Sequence, residues 1–250
     1  MNEKEQGLEQ SLEQGLEQDL EQGLEQQFAL MQLADSFFPS GAYTLSHGLE
    51  SLVQSKRVTS TEDVKTVIKL LLHNKVGSSD LVALHHAYIA SDREDLAAVA
   101  RIDALLFAQT PIEKTRLSQR QSGRALLMVA NQTWPSSNLR ELSIQAAKGE
   151  INCLHPIVFA VVAQAAGLAR SQALAAFLHG FVTGLLGAAI RLGVIGHLQA
   201  QQVRRSLGAD MAAVCKAAET TPLDEMWSCT PTIDLAQMRQ AKLSRRLFAS

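Results

Sequence analysis

Ser46 and His47 adjoin in the sequence, and a hydroxyl beside an imidazole is the pairing that activates a nucleophile. Neighbours in sequence rarely form that catalytic hydrogen bond, and no Gly-x-Ser-x-Gly elbow presents the serine. His85 and His86 are adjacent as well. Successive helical positions point about 100° apart, so the two rings cannot grip one ion together. His155 precedes Pro156, which suits a helix start better than a ligand. No His-Glu-x-x-His, no His and Cys at zinc spacing and no phosphate loop occurs. Cys153, Cys215 and Cys229 are odd in number, far apart and without a Cys-x-x-Cys motif, a pattern of a reducing cytoplasm rather than of a disulfide framework. The residues therefore point to no catalytic group, no metal ligand set and no cofactor. The expected class is a soluble non-enzyme that binds other proteins, with an enzyme of unknown chemistry as the rival.

The composition agrees. Of the 250 residues, 46% are hydrophobic and 19% charged, enough to bury a sizeable core. The net charge of −2 provides no basic field for nucleic acid or an anionic membrane. No secretory signal opens the sequence, so the expected location is cytoplasmic.

The elements that position these residues read as helices. Ser60 and Asp63 are spaced as a capping box, followed by a stripe of Val64, Val67, Ile68, Leu71 and Leu72. Similar periods run through 80–90, 95–109 and 111–131, with Pro111 placed as a first helical residue. Sustained alternation and hairpin turns are missing. The predicted fold is all-α, a single-domain bundle of about ten helices. Residues 173–190 lack a charged side chain and carry Gly180 and Gly184 at small-xxx-small spacing. His179 in mid-span and Arg191 at the end argue for a buried core helix rather than a membrane span.

The first 27 residues stand apart. From Gly7 to Gln26 a tetrapeptide x-Leu-Glu-Gln repeats, and a four-residue period drifts around a 3.6-residue helix. Residues 1–27 are expected to be a disordered arm and 28–250 the helical domain.

Polar, glycine-bearing breaks punctuate that domain, and their order is specific. Asp35, Ser36, Pro39, Gly41, Ser46, Gly48, Leu49 and Glu50 spell a pattern that resembles the signature of the UreF family of urease accessory proteins. Arg116, Gln121 and Gly123 are similar to its Arg-x-x-x-x-Gln-x-Gly region. His155-Pro156 is similar to its His-Pro-x-x-x-Gly segment, with Ala160 in place of glycine. Arg191-Leu192 opens an Arg-Leu-x-x-x-Gly-Gln element in which His197 replaces the glutamine. Arg246, Leu247, Phe248 and Ser250 match the family's Arg-Leu-Phe-x-Ser ending. Ala42 and Tyr43 depart from the first motif, and Gln240-Ala241 stand where a His-Glu pair is common.

The resemblance implies an all-α, commonly dimeric maturation chaperone without enzymatic activity. It implies work with a UreD/UreH-like protein and the nickel-carrying UreG-like GTPase on apo-urease, for GTP-dependent nickel insertion. The partner-binding residues it marks are Asp35, Ser36, Pro39, Gly41, Ser46, Gly48 and Glu50 of the first motif, Arg116, Gln121 and Gly123 of the second, Arg191, and Arg246, Leu247, Phe248 and Ser250 of the ending. Residues 234–248, with Leu235, Met238, Leu243 and Leu247 among basic and amide residues, read as a tail for a partner's groove. Dimerisation is expected through the apolar helices between Pro156 and Gly193. A helical adaptor of an unrelated complex is the alternative.

Overall fold

In the computed structural model the described residues are 20–21, 23–35, 37–39, 45–240 and 247–248, and among them there is helix and no strand. Ser36, Gly41, Arg246 and Ser250, and the departures at Ala42, Tyr43 and Ala241, lie outside them. Helix α1 comprises residues 20–21 and 23–34, so helix runs back across Phe28 into the last repeats. There follow α2 (Leu49–Gln54), α3 (Thr61–Leu71), a π-helical stretch (Leu72–Asp80), α4 (Leu81–Asp92), α5 (Leu96–Gln109) and α6 (Glu113–Thr133). The second half holds α7 (Ser137–Lys148), α8 (His155–Ala165), α9 (Arg170–Arg191), α10 (His197–Ser206), α11 (Gly208–Thr220) and α12 (Pro231–Gln240).

Local chemistry sets the helix starts. At α3 the Ser60 hydroxyl accepts from Asp63 N at 3.2 Å while Asp63 Oδ2 accepts from Ser60 N at 3.0 Å, closing the expected capping box. Asp95 caps α5 by accepting from Ala98 N at 2.8 Å. Pro111 falls outside α6, which begins at Glu113 after the extended Thr110 and Ile112. Pro111 constrains Thr110 to extended backbone, and Ile112 is extended as well and stands as the N-cap, so the helix starts later than the periodicity suggests.

The periodicity also misplaces one join. Helices α3 and α4 are not separated at Gly77-Ser78-Ser79; the backbone continues through them as a π-helix. A Cβ at Gly77 would stand 2.6 Å from Leu72 O and 2.7 Å from Val214 Cβ, so the glycine lets α11 lie directly on the stretch. The chain after α11 adds two ties, with Trp227 N donating to Ser78 O at 3.0 Å and Cys229 N to Asn74 O at 2.9 Å.

Helix α8 is the centre of the bundle, with Pro156 to Ala163 all buried between α4 and α6. That continuous apolar run is what a helix surrounded on all sides requires. Helix α9 packs on α8, α10 and α11. Among the described residues α9 alone is long and apolar enough to cross a membrane, yet 56% of its most apolar window is buried inside the fold. Burial by its own neighbours accounts for that hydropathy.

Candidate functional site

The signature turn and the C-terminus meet. Ser46 is fully buried, and His47 and Gly48 both take the left-handed conformation, with φ of 49° and 86°, before α2 begins. A Cβ on Gly48 would lie 3.1 to 3.3 Å from Gln237, Ile233 and Ala236 of α12, so both conformation and space favour glycine there. On the same helix Gln237 Oε1 accepts from Thr115 Oγ1 of α6 at 2.6 Å. Helix α12 is thus clamped between α2 and α6.

The tail closes over this clamp. Leu247 N donates to Glu50 Oε1 at 2.7 Å, and Glu50 is itself only 1% exposed. Phe248 is buried, with the Arg191 guanidinium 4.3 Å from its ring centre. Arg191 also donates from Nε to Gly187 O at 3.2 Å, as a cation ending an apolar helix does. Read from sequence, the tail was a free segment; here α12 and Phe248 pack on their own domain. The reason lies in α12, whose Ile233 and Ala236 face α2 while Leu235 and Met238 face outward.

Beneath the turn lies a cavity of about 110 Å³, large enough for several waters. His47, Lys75, Asp80, Gln119, His155 and Thr183 line it, with aromatic walls from Phe38, Phe159, Phe177 and Phe181. Lys75 and Asp80 are both buried, and they share the cavity because of the π-helix. On an α-helical wheel residues five apart lie roughly 140° apart, whereas i→i+5 winding brings them to one side. No sequence signal marked Lys75, Asp80 or Gln119, since the π turn is not visible in an apolar period. Among the described residues no three His, Cys, Asp or Glu side chains gather as an ion cage.

The second motif supports the cavity from below. A Cβ on Gly123 would run into the carbonyl oxygen of Cys153, so α6 approaches the segment before α8 at backbone distance. That segment is fixed by Asp103, buried on α5, which accepts from Asn152 N at 2.7 Å and Leu154 N at 2.9 Å. Arg116 donates from Nε to Thr110 O and lies 4.7 Å over Phe107, pinning the α5–α6 turn. Gln121 is exposed, as are Asp35 and Pro39, where Asp35 Oδ1 accepts from Phe37 N at 2.9 Å.

A match to the family model described as UreF spans residues 58–227. The chain belongs to the UreF family. It is 53% identical to the urease accessory protein UreF of Trichodesmium erythraeum (strain IMS101) over 224 residues, which are 90% of this chain and 97% of that one. It is 33% identical to UreF of Xanthobacter autotrophicus (strain ATCC BAA-1158 / Py2) over 213 residues, 85% and 86% of the two chains. Against UreF of Bacillus sp. (strain TB-90) the identity is 28% over 222 residues, 89% and 98% of the two. This UreF-family chain is therefore an accessory protein of urease maturation and not an enzyme.

The buried titrating groups of the UreF chain predict its pH dependence. Burial, with Lys75 and His155 nearby, holds the pKa of His47 at about 3. Burial alone holds His155 at about 4, and burial with Arg170 and His86 holds His85 at about 4. Each histidine binds a proton near 6.5 when unfolded and stays neutral when folded, so stability is lost as pH falls below 6.5. Asp80 opposes this. Burial raises it to about 6 against the pull of Lys75 and Gln119, so it adds stability as pH falls from about 6 toward 4. Asp103, raised by burial as well, opposes this loss too, but the three histidines outweigh the two carboxylates. The melting temperature is expected to fall between pH 6.5 and 4.5, and His155→Asn to flatten that fall in melting curves recorded across the range. An unchanged slope in the variant would contradict the burial of His155.

Proposed function

We propose that this chain bridges a UreD/UreH-like protein and a UreG-like GTPase to apo-urease during GTP-dependent nickel insertion, acting in the cytoplasm as a homodimer. Nickel is the cargo of that assembly in this reading. The observation that carries it is the convergence of the first signature, Arg191 and the C-terminal Leu247-Phe248 on one seat, although they are separated by up to about 200 residues of sequence. A seat at the surface that joins both ends of the family's pattern is suited to present the tail to a partner.

Within this proposal the motif residues divide by role. Leu247, which is 72% exposed, is the anchor for the UreD-like protein together with Arg246 and Ser250, and Phe248 holds the tail in its seat against Arg191. Asp35, Ser36, Pro39 and Gly41, with Gln121 and Arg191, are further contacts. Ser46, Gly48, Glu50, Arg116 and Gly123 act from beneath, by shaping the seat and the turn that supports it. Of the region expected to form the dimer, α8 has no face left for another chain, while the Gly180 and Gly184 side of α9 is open.

The test is co-purification. The full chain, co-expressed with a UreD-like and a UreG-like protein, is expected to form one complex that raises urease activity when nickel and GTP are supplied. If no complex forms with either protein, and apo-urease is activated equally without this chain, the bridging role is excluded.

A further inference from the structure

Two buried charges of opposite sign face the cavity beneath the signature turn without pairing. Lys75 and Asp80 are each 6% exposed, and both line the space. Among the described residues the Lys75 ammonium makes no hydrogen bond and no ion pair, and Asp80 feels its charge only at a distance. Asp80 accepts instead from the side-chain amide of Gln119. That leaves Gln119 Oε1, on a residue 9% exposed, with no partner among the described residues. Thr183 Oγ1 is a second buried atom of the cavity in the same condition. Polar groups buried in this way are costly unless something meets them, and a buried charge most of all.

The rest of the lining is aromatic. Phe159 and Phe177 stand with ring centres 5.5 Å apart, and His47 meets Phe181 edge-on at 5.0 Å. Such a lining selects a ligand by charge. An anion answers Lys75 but is repelled by Asp80, and for a cation the reverse holds. A neutral molecule leaves the buried ammonium unpaired. A zwitterion satisfies both charges, and its own ammonium supplies donors for Gln119 Oε1 and Thr183 Oγ1. Size narrows the choice further. An apolar cavity of about 150 Å³ accepts benzene, so a space of about 110 Å³ suits a ligand of roughly six non-hydrogen atoms or fewer.

We propose that this cavity binds a small α-amino acid, its carboxylate on Lys75, its ammonium on Asp80 and Gln119, and its short side chain against the phenylalanines. His47 belongs to the turn on which α12 rests through Gly48. A ligand held there braces the seat of the tail from beneath and ties its stability to the concentration of the amino acid. The site stands independently of the bridging role.

Titration of the isolated full chain with L-alanine, followed by NMR of its amide groups, tests this. The Gln119 side-chain amide is expected to shift with a Kd on the order of 1 mM, and the melting temperature to rise as the site fills. Propionate lacks the ammonium and ethylammonium lacks the carboxylate, so each is expected to bind at least about 10-fold more weakly. Lys75→Met is expected to abolish alanine binding, and Asp80→Asn to remove the preference for alanine over propionate. Circular dichroism establishes that each variant is folded. The ligand series on wild type needs no variant, so it decides the question even where a change at a buried charge unfolds the chain. No shift at Gln119 with alanine about 50-fold above that Kd would overturn the proposal. So would equal binding of alanine and propionate to wild type, or undiminished alanine binding by folded Lys75→Met.

Discussion

Gly123→Ala is expected to destabilise the protein by about 3 kcal/mol or more, because the added methyl enters the space of a backbone carbonyl rather than of a movable side chain. The oxygen it meets belongs to Cys153, which is buried and already left-handed at φ 62°. Asn152 N and Leu154 N, on either side of it, are both held by Asp103, so the carbonyl cannot swing away without breaking two buried hydrogen bonds. The alternative is for α6 and α8 to separate, opening a packing that is second in extent only to that of α4 on α8. For a chain of this length the melting temperature should drop by roughly 6–12 °C. Gly180→Ala is the control, because a Cβ there meets nothing within 4 Å and the same substitution should be neutral or slightly stabilising. Equal melting temperatures for the two variants would show that α6 does not need glycine at 123.

Removal of Arg246–Ser250 is expected to affect two measurements at once. Binding to a UreD-like protein should weaken on the order of 100-fold, because the exposed Leu247 is removed together with the buried Phe248 that seats it. The isolated protein should also melt several degrees lower, since Phe248 leaves its place against Arg191 and the buried Glu50 loses the Leu247 N–H. The second effect sets this structure apart from the picture of a free tail, in which the domain alone would be indifferent. Arg191→Ala separates the contributions: it removes the stacking on Phe248 and leaves the Glu50 hydrogen bond. Titration of the partner and thermal melting of the isolated chain read the two effects independently. Wild-type affinity in the truncated protein would remove the anchor role, and an unchanged melting temperature would mean that the packing of Phe248 contributes nothing to the fold.

Helix was legible in this sequence because its signals are local. The capping box of Ser60 and Asp63, the cap at Asp95 and the apolar stripe of α3 depend on residues within one or two turns of each other. The buried nature of α8 and α9 was legible for the same reason, since a helix apolar all round has to be enclosed. The seat was legible only as a list. Ser46, Gly48, Glu50, Arg191 and Phe248 stand out by motif, yet nothing in their spacing says that Glu50 accepts from Leu247 N across 197 positions.

Tertiary structure decided the rest, through close approaches between distant segments. Gly77 and Gly123 look like ordinary interruptions of a helical period until α11 and Cys153 are placed against them. The π-helix is a compromise of that kind, and it brings Lys75 and Asp80 into the cavity with His47 and His155. The outward stripe of α12 likewise became defined only when Ile233 and Ala236 were committed to α2. Local hydrogen bonds and apolar periods act over a few residues and are written in the sequence. Which backbone lies against which glycine, and which apolar face is left uncovered, is a property of the packed whole.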